Sequence, residues 1–167
     1  VTKSSSTGHR LYYDGIEIAS DATFTGNLLT GTSGNTIGSS GTAAYFNGSI
    51  DQVRIFNKAL SSSEVTTLYN ETACDVLACS GTTNTLDILG DSSCIAAYPL
   101  DGSPLDLSGN YNGVQTDVTY PQGYFDLAGS FNGTSSVIRP SGSLILTDRT
   151  FSAWVKFNSF EKFIFGT

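Results

Sequence analysis

The stretch from Tyr45 to Tyr69, YFNGSIDQVRIFNKALSSSEVTTLY, decides how the chain is read. From Ile50 to Phe56 its β-branched and aromatic residues predict a strand. Period-2 alternation puts Asp51 on the same face as Val53 and Ile55, and an acid on an apolar face needs a partner. After Asn57-Lys58-Ala59-Leu60 comes Ser61-Ser62-Ser63-Glu64. There the Ser61 hydroxyl can take the Glu64 amide while the Glu64 carboxylate reaches back, and Leu60 can close on Val65. A helix of about two turns is predicted over Ser62 to Tyr69, too short to persist unless its Val65–Leu68–Tyr69 side is docked on a sheet.

This F-N-G-S-I-D-x-V-R-I-F-N-x-A-L-S-x-x-E-V run resembles the C-terminal signature of the laminin-G-like, concanavalin-A-like jelly rolls. Upstream, Arg10 to Ile18 reads as two alternating strands around Asp14-Gly15, a hairpin with a type I′ turn. Leu11, Tyr13, Asp14, Gly15 and Ala19 resemble the hairpin that precedes the closing strand in that family. Downstream, Ala97-Tyr98-Pro99-Leu100-Asp101-Gly102 and Asp106-Leu107-Ser108-Gly109-Asn110-Tyr111-Asn112-Gly113 resemble the family's N-terminal opening. Phe131-Asn132-Gly133-Thr134 and Phe151 to Lys156 continue it in the family's order.

An ending therefore precedes a beginning. The expectation is an all-β, jelly-roll β-sandwich chain cut across two consecutive modules of a tandem array: residues 1–72 the C-terminal half of one, 73–93 a cysteine-containing linker, and 94–167 the N-terminal half of the next. Half a jelly roll leaves strand edges and an apolar face bare, so Leu11, Val53 and Ile55 are expected to bury against strands supplied from outside the copy.

Composition narrows the function. The net charge is −7, and nine acids but no Lys or Arg fall between Ala59 and Ile138. Such a surface repels phosphate, which sets aside nucleic acid and anionic membranes. No apolar run is long enough for a membrane-spanning helix. With no Met and no signal peptide, the chain reads as an internal or processed piece. A serine-hydrolase triad needs a positioned histidine and a nucleophile elbow, yet there is one His and no G-x-S-x-G. Glu17, Asp21, Glu64, Glu71 and Glu161 form no glycosidase-like carboxylate pair. The chain is expected not to be an enzyme.

Calcium is the candidate cofactor. Asp101, Asp106 and Asn110 offer hard oxygens at short spacing in one Gly-rich loop, although the same residues serve plain turns. The resemblance adds Asp51, because first and last strands are neighbours in that family. Cys74, Cys79 and Cys94 cluster in one polar segment, which suggests oxidising surroundings and at least one disulfide; Cys79 to Cys94 is preferred, since Cys74 follows the helix directly and can face a neighbouring module. Three unpaired thiols in a reducing cell are the other reading, and zinc lacks a fourth ligand near them. Sequons stand at Asn47, Asn70 and Asn132. Trp154 alternates as a core residue, leaving Tyr12, Tyr45 and Tyr111 as candidates to stack on sugar rings.

Two functions fit. One is a structural or adhesion repeat of an extracellular fibre, appendage or virion spike, with neighbouring copies or modules as partners. The other is a carbohydrate-binding module that selects a polysaccharide through its loops, either as an adhesin or beside an enzyme.

Overall fold

A computed structural model describes residues 1–23, 35–40, 44–71, 88–142, 144, 146–159 and 164–166. Among these residues eleven strands and one helix follow in order: β1 (Thr2–Ser4), β2 (Gly8–Tyr13), β3 (Ile16–Asp21), β4 (Thr36–Ile37), β5 (Asn47–Phe56), α1 (Ser62–Tyr69), β6 (Cys94–Tyr98), β7 (Gly113–Thr116), β8 (Gly129–Asn132), β9 (Val137–Pro140), β10 (Arg149–Phe157) and β11 (Phe165–Gly166). They form two sheets. One runs β3-β2-β1-β10-β5-β6 with β8 also on β5, and the other runs β11-β4-β9-β7. The described residues are mostly β, in antiparallel sheets with one short helix. Among the described residues no helix is long and apolar enough to cross a membrane.

Contacts divide the chain into two compact units, one of Val1–Asn27, Arg54–Ala97 and Leu146–Ser152, the other of Leu28–Val53, Tyr98–Ile145 and Ala153–Thr167. In the first, β1 lies between β2 and β10, with Thr2 opposite Arg10 on one side and Thr150 on the other. The β2–β3 hairpin turns at Asp14 and Gly15, φ 48° and 77°, the two left-handed residues that a type I′ turn requires. Gly15 has a second reason: a Cβ there would lie 3.1 Å from the Tyr69 ring. The helix starts as its sequence dictates, with Ser61 Oγ accepting from Glu64 N and Glu64 Oε2 accepting from Ser61 N at 2.8 Å. Its inner side closes a small core of Phe56, Leu60, Leu68, Cys94 and Ala97, with Val65 packed on it, while Tyr69 stays 41% exposed. Just past the helix, Glu71 grips the buried Arg54 guanidinium with both oxygens, at 2.6 and 2.7 Å.

In the second unit, the first half of β5 pairs with β8 from Asn47 opposite Asn132 to Ile50 opposite Gly129. Strand β9 lies between β4 and β7. Phe46, Ile50, Leu100, Phe131, Val137 and Ile138 are buried there, with Phe46 and Phe131 edge to face at 6.2 Å.

The expected completion from outside the copy is corrected. Both compact units draw residues from either side of positions 73–93, and β5 is hydrogen-bonded to β10, β6 and β8 of its own chain. Asn57 N donates to Ser93 O at 2.9 Å, bringing the two stretches together. Val53 and Ile55 are 0% and 2% exposed within this one copy. A ten-residue strand presents many N–H and C=O groups, and the nearest partners able to satisfy them lie further along the same chain. Leu11, by contrast, is exposed.

Strict alternation also fails in β5. Gln52 has φ 48°, a left-handed residue inside the strand, and every residue from Ile50 to Phe56 is buried. Most of the linker, with Cys74 and Cys79, lies outside the described residues, so the Cys79–Cys94 pairing does too. Cys94 itself is buried at the start of β6, with Sγ 3.5 Å from Ala96 O.

Candidate functional site

The partner that Asp51 requires is a backbone loop. Asp51 is 3% exposed, and its Oδ2 accepts the N–H groups of Tyr124 and Phe125 at 3.0 and 2.9 Å. Such charge-assisted bonds are each worth roughly 1.5–3 kcal/mol. Burial nonetheless outweighs them: desolvation pushes the Asp51 carboxyl up to about 6, the two N–H donors pull it down, and the neighbouring Asp101 charge raises it again. Its second oxygen, Oδ1, is buried with no hydrogen-bond partner among the described residues.

Asp101 holds the same loop further along, accepting Leu127 N on Oδ1 at 3.0 Å. Between these anchors the chain doubles back tightly. Gln122 bridges to Leu127, Gly123 N donates to Asp126 O at 2.8 Å, and Ala128 N donates to Pro121 O at 2.9 Å. Gly123 is forced by close approach, since a Cβ would sit 2.7 Å from Asp51 Oδ2 and from the Leu127 carbonyl. The loop presents an aromatic trio. Phe125 is buried at 8% exposure, Tyr124 is 61% exposed, and the Tyr124 ring lies on half-buried Trp154 at 4.4 Å and 19°. Phe125 meets both rings edge to face.

The four expected calcium ligands are not gathered. Asp51 and Asp101 are electrostatic neighbours, whereas buried Asp106 closes its own turn, accepting Ser108 N and Tyr111 N at 3.1 Å each and the Ser108 hydroxyl. Asn110 is exposed at that turn. Among the described residues no group of three or more His, Cys, Asp or Glu is placed to hold a metal. The turn reading of Asp106 and Asn110 thus has the geometry.

The three candidate sugar-stacking tyrosines are half-buried and separate. Tyr12 OH donates to Glu17 at 3.2 Å and pairs with the Ser62 hydroxyl. Tyr45 bridges to Ser39, and the Tyr111 carbonyl accepts the Tyr98 hydroxyl at 2.7 Å. Of the sequons, Asn70 is exposed at the end of α1. Asn132 Oδ1 accepts the N–H groups of Thr134, Ser135 and Ser136 and its Nδ2 donates to Ser135. Asn47 is half-buried opposite it in the β5–β8 pair. Sequence reasoning missed Tyr124; two adjacent aromatics after a Gly were the available signal, because alternation can bury only one of them.

Residues 1–66 match the model of a family described as the concanavalin A-like lectin/glucanases superfamily, the laminin-G-type jelly roll. The match covers the hairpin, β5 and the start of α1, the stretch whose signature and fold point to the same class. No curated protein and no solved structure matches the chain.

Proposed function

We propose that the chain is a non-enzymatic structural and adhesion module of an extracellular fibre, appendage or virion spike that meets a neighbouring copy through its β2–β3 hairpin. The observation that carries this reading is an exposed apolar face at a sheet end. All six residues of β3 are exposed, and Leu11, Tyr13, Ile16 and Ile18 are 41%, 62%, 68% and 58% exposed. Tyr13 stands directly opposite Ile16 and Leu11 opposite Ala19, so these four share a face, and exposed Ile18 is the extra residue at the register shift beside them. An apolar face at the end of a sheet is an interaction site in a soluble chain.

A second copy suits that edge. Antiparallel pairing of β3 with its two-fold mate about Ile18–Ala19 sets Glu17 opposite Ser20 and Ile16 opposite Asp21, so no like charges face each other. Catalysis finds no support at Asp51, which is buried and turned to backbone N–H groups. Calcium is proposed as a weakly held ligand of Asp51 and Asp101, and the clustered cysteines and the exposed Asn70 sequon favour an extracellular or virion-surface setting.

Sedimentation velocity tests the interface. Association that rises with protein concentration, and its loss in Ile18→Lys with an unchanged melting temperature, are expected. A chain that stays monomeric up to about 1 mM overturns the proposal, because a useful contact between tethered modules operates at about millimolar effective concentration.

A further inference from the structure

We propose that the loop of residues 121–128 is a docking surface for a basic segment of a partner protein, which lays an arginine guanidinium on the open face of Tyr124 and against the Asp126 carboxylate. The Tyr124 and Trp154 rings stack at 4.4 Å and 19°, which covers one face of Tyr124. Phe125 lies 4.8 Å from Tyr124 and 5.8 Å from Trp154, beside the stack rather than across it, so the other Tyr124 face is open and the residue is 61% exposed. An electron-rich ring face left in water attracts a cation, and the planar guanidinium, unlike an ammonium, stacks on it.

The loop holds that ring in place. Asp51 Oδ2 accepts the Tyr124 and Phe125 amides, Asp101 Oδ1 accepts the Leu127 amide, and the Asp126 carbonyl accepts both Gly123 N and Gln122 Nε2. A surface already ordered loses little conformational freedom when a partner arrives.

Charge identifies the occupant. Asp126 is exposed two residues from Tyr124, and no hydrogen bond or ion pair among the described residues takes its carboxylate. Asp101 is near enough to feel that charge: partial burial raises its carboxyl first, and Asp126 raises it further. Below them Asp51 is 3% exposed, and its Oδ1 has no hydrogen-bond partner among the described residues. No Lys or Arg falls between Ala59 and Ile138, and Lys156, two residues beyond Trp154, forms no ion pair among the described residues. Carboxylates gathered around an open aromatic face attract a cation and repel phosphate, sulfate and carboxylate groups. An arginine suits both parts of the surface, with its plane on the ring and its N–H fork on Asp126. Because one such contact on an exposed ring is weak, occupancy needs a chain that brings a second base to Asp101.

Fluorescence anisotropy of a dye-labelled Gly-Ser peptide carrying three arginines, titrated with the full chain in excess chelator, tests this beside the same peptide with citrulline in place of each arginine. Citrulline keeps the shape and loses the charge. The arginine peptide is expected to bind and to change the emission of Trp154, the one tryptophan of the chain, and the citrulline peptide is expected not to bind. Tyr124→Leu should weaken binding about threefold to fivefold while Tyr124→Phe retains it. Asp126→Asn, in which Asn suits the left-handed φ of 56°, should weaken it about as much; Asp14→Asn, which removes the same charge from the hairpin turn, should not. All these side chains are exposed, so an unchanged melting temperature shows that each variant is folded. No binding of the arginine peptide, equal binding of the citrulline peptide, binding that leaves Trp154 emission unchanged or survives Tyr124→Leu, or an equal loss with Asp14→Asn overturns the proposal. So does a response of Trp154 to a neutral β-glucan and not to the peptide. None of these outcomes bears on self-association through β3, which Tyr124→Leu leaves unchanged and Ile18→Lys abolishes.

Discussion

Asp51→Asn is expected to flatten a pH dependence that the wild-type chain carries. The folded chain holds the Asp51 carboxyl at about 6 against an ordinary value of 3.8, with burial as the main cause. Because the folded state raises this value, it binds a proton that the unfolded state has already lost. The stabilisation is fully present below about pH 4 and disappears as pH rises through 6. A difference of about two pH units, at 1.36 kcal/mol each, amounts to roughly 3 kcal/mol lost between acid and neutral conditions. Asp101, also raised by burial, acts with the same sign, while His9, lowered mainly by burial, acts with the opposite one. The wild-type profile alone is therefore a mixture. The difference between wild type and Asp51→Asn isolates the single group, since the Asn oxygen still accepts the Tyr124 and Phe125 amides. Urea titrations at about pH 5 and about pH 8 should show the variant gaining on the wild type by about 1–1.5 kcal/mol at the higher pH, the rest of the loss falling below pH 5. A difference that stays within about 0.5 kcal/mol across that range, or one of opposite sign, would refute the claim that burial outweighs the two amide bonds.

Glu71→Ala leaves the buried Arg54 guanidinium without its bidentate partner, and urea unfolding should show a loss of about 3 kcal/mol. Gly123→Ala drives a methyl group to 2.7 Å from Asp51 Oδ2 and the Leu127 carbonyl, so a destabilisation of about 1–3 kcal/mol is expected in the same assay. Millimolar calcium should raise the melting temperature of the wild type at neutral pH and leave Asp51→Asn unmoved; equal curves with calcium and with excess chelator would leave both carboxylates as loop anchors alone. In a glycosylating host, peptide mapping should find glycan on Asn70 and none on Asn132, whose amide is committed to its turn.

What the sequence disclosed was local. Ser61 and Glu64 are three residues apart and cap each other whatever the rest of the chain does, and Asp14-Gly15 dictates its own turn. Strands β5, β6 and β10 were legible from their apolar content. Strand β1 was not, because Thr2-Lys3-Ser4 has no pattern of its own and becomes a strand by lying between β2 and β10. The partners of Asp51 lie 73 and 74 residues away, a separation at which no spacing rule operates. Asp106 and Asn110 looked like cation ligands for the reason they form a turn: short oxygen-bearing side chains serve both. Tyr124 went unread because exposure is set by the fold around a side chain, and its neighbour Phe125 has the same character in sequence and the opposite fate.

The pairing of β1 with β10 sets a timetable for synthesis. Val1 N donates to Phe151 O, and Phe151 N returns a bond to Val1 O, across 150 positions. At about 5–20 residues per second, Val1 leaves the ribosome roughly 10 to 30 s before its partner exists. During that interval β1, β2 and β3 can form at most a ribbon with one unmated margin, while β5 waits a shorter time for β6, β8 and β10. Contacts this distant in sequence make folding slow and late, and they leave strand margins open in the meantime. A nonsense codon just before Arg149 would release a polypeptide in which β1, β2 and β3 are made and β1 has no β10 to close on.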